Sequence, residues 1–537
     1  MDGRQQSRYW REGEPWVWLS ATAVSLILLM ATCLLLVVLA NGLGVFWPHT
    51  LTRLEMSGGP PLLGEILQEE ERPDGGRRLQ LKIGNRDLYG LDFRWVPADQ
   101  VQSTATPPEA LVLERQEYGN FYGFIAGLRL PALGAAAAGQ DGWPGLAAAL
   151  ARVARERQEL TARSEGLSKL NRRLAAIKDR RRSLLFAGQS PDQPQVLELE
   201  RQEAELAALF ASQAGELSRR TAALRQDVVL MQDAAGRERE VPLLDIVRAY
   251  RPNAMSLTAK LGLYLGKLKE LLLDDPRESN TEGGLFPAIL GTVMMVFLMS
   301  LFSFPFGVLA GIYLREYAKP GPLVRLVRVG VNNLAGIPSI VYGIFGLGFF
   351  IYGLGAAIDQ AFFPERLPTP TFGTGGILWA SLTLGLLTVP VVIVATEEAL
   401  GAIPTGIREG SLALGSTRFQ TLTRILVPMA SPGIMTGFIL AMARAAGEVA
   451  PLMITGVVKL APAMPVDGVF PYLHLDRKFM HLGFHIYDIG FQSPNVEAAK
   501  PMVFTTTLLL VGIVVLMTSG AILLRNRMRR HYYVSGV

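Results

Sequence analysis

Residues 409–428 read EGSLALGSTRFQTLTRILVP, and this polar, amphipathic stretch lies between two apolar segments of membrane length. We expect a short helix that carries Arg408 and Glu409 at its start. Gly415 then suits a turn, because glycine can adopt a positive φ or let another backbone approach closely. A second helix is expected to end at Pro428. Two short helices joined at a glycine would form a compact knob that works mechanically and not as a catalyst.

The composition indicates a membrane protein with a large aqueous part. Half of the 537 residues are hydrophobic and the mean hydropathy is positive, yet 52 basic and 47 acidic residues are also present. The single cysteine, Cys33, lies in the first apolar segment, which excludes an intrachain disulfide and a cysteine-based metal site. The net charge of +5 does not indicate nucleic acid, because the basic residues are mixed with acidic ones or flank apolar segments.

Six segments are long enough to cross a bilayer, which takes about 20 apolar residues per helix. They are Trp16–Gly42, Phe286–Leu314, Val329–Leu354, Gly375–Ala395, Gly433–Val457 and Met502–Leu524. The first segment follows Arg4, Arg8 and Arg11. Its apolar run is longer than that of a usual signal peptide, so we expect a retained signal anchor.

The short loops indicate the orientation of the chain. Basic residues cluster between spans two and three, between spans four and five, and after span six, all on the side of the N-terminus. They include Arg315, Lys319, Arg325, Arg328, Arg525, Arg527, Arg529 and Arg530. Because loops rich in Lys and Arg stay in the cytoplasm, we expect both termini and the stretch 409–428 to be cytoplasmic.

Residues 43–285 follow the first span and are therefore expected outside the cytoplasm. Strand-like runs at 78–83, 88–96 and 111–128, with turn signals such as Pro73-Asp74-Gly75-Gly76, predict a small β-rich module.

From about Gly145 the pattern changes to a helical one. Leucines recur at spacings of three, four or seven on both sides of a break at 188–194, which predicts an antiparallel coiled-coil hairpin. Each arm would be about 60 Å long if continuous. The hairpin could dock a partner, but its surface pattern indicates no partner, which favours a spacer between domains.

Two charged residues lie inside the fifth span. Arg444 and Glu448 stand four residues apart, on one face of a helix, and charges at membrane depth usually face a bundle interior or a water-filled path. The arginine fork suits an anion with several oxygens. The pair could instead be a structural ion pair that pins the helix. Both could hold in alternation, with Glu448 releasing Arg444 to the solute.

The stretch 409–428 resembles the EAA loop, the cytoplasmic element that inner-membrane subunits of binding-protein-dependent ABC importers press into their ATPase partner. This sequence has Gly410-Ser411 where that pattern has two alanines, and Val427 where it has leucine. These changes conserve size or apolarity, so only helix strength is affected.

Other segments make the resemblance narrower. Residues 443–453, ARAAGEVAPLM, are similar to the phosphate-importer permeases of the PstA family. The same holds for 431–437, 336–343, 280–284 and 390–397. The similarity covers 280–456 well, and 43–279 only in that some proteobacterial members are similarly extended. In that family the arginines matching Arg408 and Arg444 are associated with phosphate transport.

The resemblance implies a mainly α, six-helix ABC importer permease in the bacterial inner membrane, in contact with lipid. It also implies a PstC-like sister permease, PstB-like ATPase subunits and a periplasmic PstS-like phosphate-binding protein. ATP would be hydrolysed in a separate subunit, so the chain would be no enzyme and would need no cofactor. The implied site residues are Arg444 and Glu448 on the substrate path, and Arg408, Glu409, Gly415 and Pro428 at the ATPase.

The implied domain order follows the spans. It comprises the N-terminus and first helix (1–42), a periplasmic β-rich module (43–142), a helical hairpin (143–235), a connection to the membrane (236–285), the permease core (286–524) with its coupling loop (397–430), and a cytoplasmic tail (525–537). Two alternatives stay open. The cargo could be another oxyanion, or the chain could be a membrane-anchored sensor or scaffold with inert spans.

Three further motifs are weaker. The segment Gly262–Leu268 is one residue short of a P-loop and lacks the Ser or Thr that would hold magnesium. A zinc face could be formed by His474, His481 and His485, but it has no obvious fourth ligand. The span-three glycines suit close helix packing better than binding; they are Gly343, Gly346 and Gly348.

Overall fold

The computed structural model of the protein describes residues 13–71, 75–132, 142–468, 470–493 and 496–532. Three features of the sequence lie outside these residues. They are the N-terminal arginines Arg4, Arg8 and Arg11, the Pro73-Asp74 part of a turn signal, and residues 533–537 of the tail.

The described part of the chain is mainly helical. Its principal helices, in chain order, are α1 (Glu14–Gly44), α2 (Trp143–Phe186), α3 (Pro194–Leu224), α4 (Leu257–Leu273), α5 (Phe286–Tyr317), α6 (Pro322–Leu334), α7 (Ser339–Phe362), α8 (Ile377–Gly401), α9 (Thr405–Ala413), α10 (Arg418–Gly447), α11 (Ala450–Thr455), α12 (Leu482–Tyr487) and α13 (Val496–Tyr532). Six of them, α1, α5, α7, α8, α10 and α13, are long and apolar enough to cross a membrane. The predicted number of spans is thus present within the described residues.

The third membrane helix begins later than predicted. The apolar pattern placed its start at Val329, but residues 322–334 form the separate helix α6, and α7 begins at Ser339. Pro338 separates the two helices with extended dihedral angles of φ −55° and ψ 135°. A residue that precedes proline is disfavoured in the helical region, so α6 cannot run on into α7.

The centre of the bundle is a tight contact of α8 with α5 and α10. A Cβ atom added to Gly307 of α5 would lie 2.6 Å from the Val392 Cβ of α8, and one added to Gly437 of α10 would lie 2.2 Å from the Ala395 Cβ. Only glycine permits helices to approach this closely. The three helices therefore form a closely packed support for the segments at their ends.

Helix α1 stands at the edge of the bundle against α13. Its apolar side chains are almost all exposed, as expected for a surface that faces lipid. The two helices touch where Thr505 Oγ1 donates to the Gly42 carbonyl at 3.1 Å. The first helix is thus attached to the last one.

Ten strands between α1 and α4 form two antiparallel five-stranded sheets. They are β1 (Leu51–Met56), β2 (Leu62–Glu71), β3 (Arg77–Lys82), β4 (Phe93–Pro97), β5 (Val101–Ala105), β6 (Leu111–Arg115), β7 (Phe121–Arg129), β8 (Val228–Gln232), β9 (Glu238–Pro242) and β10 (Ile246–Tyr250). The strand orders are β4-β3-β2-β1-β5 and β10-β6-β7-β8-β9.

The second sheet corrects the predicted domain limits. Residues 236–285 were expected to be a connection to the membrane, yet β9 and β10 lie within them, and β8 pairs with β7 across the whole hairpin. Strand pairing between segments this distant in sequence leaves no local signal, so a reading of periodicity misses it. The hairpin is therefore an insertion into one sheet and not a separate neighbour of it.

Helices α2 and α3 pack side by side as an antiparallel pair. The ion pairs Glu156–Arg220, Arg163–Glu216 and Arg181–Glu203 join the two helices in reversed order along the chain. With 44 and 31 residues, they are about 66 and 46 Å long.

The longer arm also contacts the loops of the membrane bundle. Arg172 pairs with Asp467 at 3.0 Å, and Asp179 pairs with Arg366 at 2.9 Å. The hairpin thus lies against the segments between α7 and α8 and between α11 and α12.

Candidate functional site

The fifth membrane segment is interrupted at Glu448. Helix α10 ends at Gly447, Glu448 has extended dihedral angles of φ −78° and ψ 135°, and the chain resumes as α11. The apolar pattern of the sequence predicts one uninterrupted helix here. Non-helical backbone at membrane depth is tolerated only where protein buries it or where it lines a water-filled space. Arg444 lies in the last turn of α10, directly before this non-helical backbone.

The Arg444–Glu448 pair is loose. Arg444 Nε lies 3.6 Å from Glu448 Oε1, which is too far for a hydrogen bond. Among the described residues, no atom accepts a hydrogen bond from the Arg444 guanidinium, whose side chain is 37% exposed. The charges balance each other, while the five N–H donors of the arginine stay free for another acceptor.

The face of α10 that carries Arg444 is open. Thr436, Leu440, Arg444 and Gly447 are exposed at helical spacing, whereas the opposite face packs against α8. A Cβ atom added to Gly447 would meet no atom within 4 Å. The arginine therefore points away from the core of this chain, onto a surface that the chain alone leaves uncovered.

The stretch 409–428 forms the expected knob at the end of the bundle. Gly415 joins α9 to α10 with φ of +89°, and nothing lies within 4 Å of where its Cβ would be. The positive φ therefore explains the glycine at this position, and a close approach of another backbone does not. Thr417 caps α10 in a capping box with Gln420, and a buried hydrogen bond of 2.9 Å joins Ser411 to Thr421.

Pro428 does not end a helix, contrary to the prediction. Helix α10 runs through it to Gly447, with one π-helical turn at Leu422–Leu426 directly before it. Proline lacks the N–H that would bond to residue 424, and a wider turn accommodates this loss. The knob is therefore the first part of a membrane helix, so a displacement of the knob moves that helix directly.

Arg408 fastens the knob to the bundle. Its guanidinium donates to Glu316 Oε1 at 3.0 Å, to the Ile403 carbonyl at 2.7 Å and to the Leu400 carbonyl. Both Arg408 and Glu316 are more than four fifths buried. Because these contacts use its donors, Arg408 differs from Arg444 and acts as a brace between α9 and the ends of α5 and α8.

The tip of the knob is apolar, which the sequence analysis missed. Leu414 is 89% exposed and Phe419 is 66% exposed, on either side of Gly415. The signal was available, since both residues stand in an otherwise polar stretch next to a turn glycine. Glu409 is also exposed, on α9. The described tip therefore offers two bare hydrophobic side chains and one carboxylate.

The P-loop-like motif is not a loop. Residues 262–268 lie in the middle of α4, and the Lys267 ammonium pairs with Glu114. The lysine thus forms an ion pair with a carboxylate of the β module.

The three histidines occupy separate environments. His474 pairs with Asp467 at 3.1 Å. His481 and His485 are buried, and His485 contacts the Asn280 carbonyl and the Thr506 hydroxyl. Burial lowers the pKa of His481 to about 3 and that of His485 to about 4, so both are neutral at physiological pH.

The span-three glycines differ in role. Cβ atoms added to Gly343 and Gly346 would lie 2.8 Å from Pro451 and 2.3 Å from Thr383, so these two serve close helix packing. Gly348 has nothing within 4 Å of its Cβ position.

Comparison with known proteins gives matches over the C-terminal half. Residues 303–530 match the model of the family described as binding-protein-dependent transport system inner membrane component. The probable phosphate transport system permease protein PstA of Methanocaldococcus jannaschii is 33% identical over 40% of this chain and 67% of its own length. The phosphate transport system permease protein PstA of Mycobacterium leprae is 36% identical over 32% of this chain and 51% of its own length.

The chain thus spans about half to two thirds of the length of these curated relatives. Among solved structures, an inward-facing MetNI methionine ABC transporter covers 45% of this chain and 95% of its own, at 22% identity and a TM-score of 0.34.

Proposed function

This chain belongs to the family of binding-protein-dependent transport system inner membrane components, and we propose that it is the permease subunit of a phosphate importer. The observation that carries the proposal is the Arg444 guanidinium, which lies at a break in a membrane helix with its hydrogen-bond donors free. Phosphate presents several oxygens in the geometry that the arginine fork recognises. The proteins named PstA among its relatives support the same cargo.

Glu448 sets how tightly the anion is held. At 3.6 Å it offsets the arginine charge without occupying the donors. An anion that approaches Arg444 also approaches this carboxylate, and the repulsion weakens its binding. Weak binding suits transport, because the solute must leave the site as well as enter it.

The knob is the proposed docking site for a separate ATPase subunit. Its bare Leu414 and Phe419 would enter a groove of that subunit, with Glu409 beside them. Gly415 sets the shape of the tip. A displacement of the knob would pass to α5 and α8 through the contacts of Arg408, and to α10 because this helix continues through Pro428. Closure of the ATPases would then move the helix that bears Arg444 as a rigid body.

The location follows from charge. The basic residues Arg315, Arg325 and Arg328 lie at the same end of the bundle as the knob, which we assign to the cytoplasm of a bacterial cell. The β sheets and the hairpin lie at the opposite, periplasmic end. The open face of α10 would meet a sister permease, and a phosphate-binding protein would dock from the periplasm.

Uptake assays test the proposal. A strain that lacks its own importer permease, complemented with this chain and its neighbouring subunits, should take up labelled phosphate but not sulfate or molybdate. Arg444→Gln should lower uptake about 10- to 100-fold, since hydrogen bonds to a charged group contribute about 1.5–3 kcal/mol.

A matched control separates loss of the anion contact from loss of an ion pair. Arg328 pairs with Glu397 at 3.0 Å with similar exposure, so Arg328→Gln should keep uptake near the wild-type level. Wild-type uptake by Arg444→Gln at normal membrane levels would refute a role in transport. Uptake of sulfate or molybdate instead of phosphate would refute the cargo alone.

A further inference from the structure

A large cavity lies where the β module meets the membrane bundle. Its open volume is about 1100 Å³, including the part continuous with solvent. One wall is built from Phe46 and Trp47 after α1 and from Met502 of α13, and the other from polar side chains of the sheets and α4. The cavity therefore has an apolar side at the ends of two membrane helices and a charged side away from them.

Most charges on the polar wall are already paired. Glu114 binds Lys267 and Arg248, and Glu270 binds Arg248 and Arg277. Each charged side chain of this network thus has at least one partner of opposite charge.

Two other charged residues of the polar wall, Lys82 and Glu282, lie outside this network of ion pairs. Both line the cavity, and neither has an ion-pair or side-chain hydrogen-bond partner among the described residues. Glu282 is partly buried, and this burial raises the pKa of its carboxyl to about 6, although the charge of nearby Lys82 lowers it. A cation beside Glu282 and an anion beside Lys82 would restore the interactions that burial removes.

We propose that this cavity binds the headgroup of a zwitterionic phospholipid, with its ammonium against Glu282 and its phosphate against Lys82. A lipid fits better than a free solute because the apolar wall is continuous with α1 and α13. The outer surfaces of these two helices are exposed apolar side chains along which acyl chains can lie. The site is distinct from Arg444 and does not depend on which solute is transported.

Lipid binding to the full chain, purified with the subunits that accompany it, tests the proposal. Native mass spectrometry would compare short-chain phosphatidylethanolamine with phosphatidylglycerol, which lacks the ammonium. The wild type should bind the ethanolamine lipid about tenfold more tightly, and Glu282→Gln and Lys82→Gln should each lose about tenfold of that affinity. Glu240→Gln and Lys178→Gln, at exposed positions on β9 and α2, should bind as the wild type does.

The wild-type comparison needs no variant, so the test stands even if a substitution prevents folding. Equal affinity for the two lipids would overturn the proposal, as would unchanged binding in folded Glu282→Gln. Soluble phosphoethanolamine should bind far more weakly than the lipid. If it binds equally well, the occupant is a free solute and the lipid assignment is wrong.

Discussion

Replacing Leu414 by alanine should weaken binding of the ATPase while leaving the permease intact. Leu414 is 89% exposed in this chain, so its truncation removes almost no internal packing. Exposed substitutions of this kind change the free energy of unfolding by about 0.5 kcal/mol or less. Any large effect must therefore come from a surface that covers the side chain in the assembled transporter.

The size of the effect follows from the atoms removed. Leucine to alanine deletes three carbon groups, each worth about 0.8 kcal/mol when buried, which gives about 2.4 kcal/mol. At about 1.4 kcal/mol per factor of ten, the dissociation constant of the ATPase should rise about 50-fold. Phe419, at 66% exposure, should behave similarly when truncated.

The measurement is the dissociation constant of purified ATPase for the permease in lipid nanodiscs. Leu516→Ala provides the control, because Leu516 is 75% exposed on α13 and is expected to face lipid. It should leave ATPase binding unchanged. Binding by Leu414→Ala within about threefold of the wild type, or equal weakening in Leu516→Ala, would refute the assignment of the knob as the ATPase seat.

Three more predictions concern single positions. Gly415→Ala should lower uptake more than Gly415→Asn, since φ of +89° costs most residues about 1–2 kcal/mol and asparagine less; equal loss in both would contradict this. Arg408→Gln should lower the melting temperature by leaving Glu316 unpaired, and adding Glu316→Gln should restore part of it. With a pKa of about 4 against an ordinary value of about 6.5, folded His485 binds no proton where the unfolded chain does. The contribution of His485 to stability should therefore fall as the pH drops from about 6.5 towards 4, by up to about 1.4 kcal/mol per pH unit. Thermal melts of His485→Gln should show a shallower dependence on pH than those of the wild type, and an unchanged dependence would contradict this.

Some features were predictable because they are properties of a single segment. Six apolar runs of membrane length predict six membrane helices, because every backbone N–H and C=O group of a helix in a bilayer must form its hydrogen bond within that helix. Gly415 was predictable for the same reason, because a positive φ is a local requirement of one residue. The proximity of Arg444 and Glu448 followed from a spacing of four residues.

Other features depend on residues far apart in the chain, and only the tertiary structure decided them. Strand β8 pairs with β7 across the hairpin, Arg408 pairs with Glu316, and Lys82 and Glu282 line the same cavity. Local sequence therefore determined which segments are helical and apolar. Which charges end up paired, and which stay free for a ligand, depended on how those segments pack, because each pairing joins atoms that the sequence alone does not bring together.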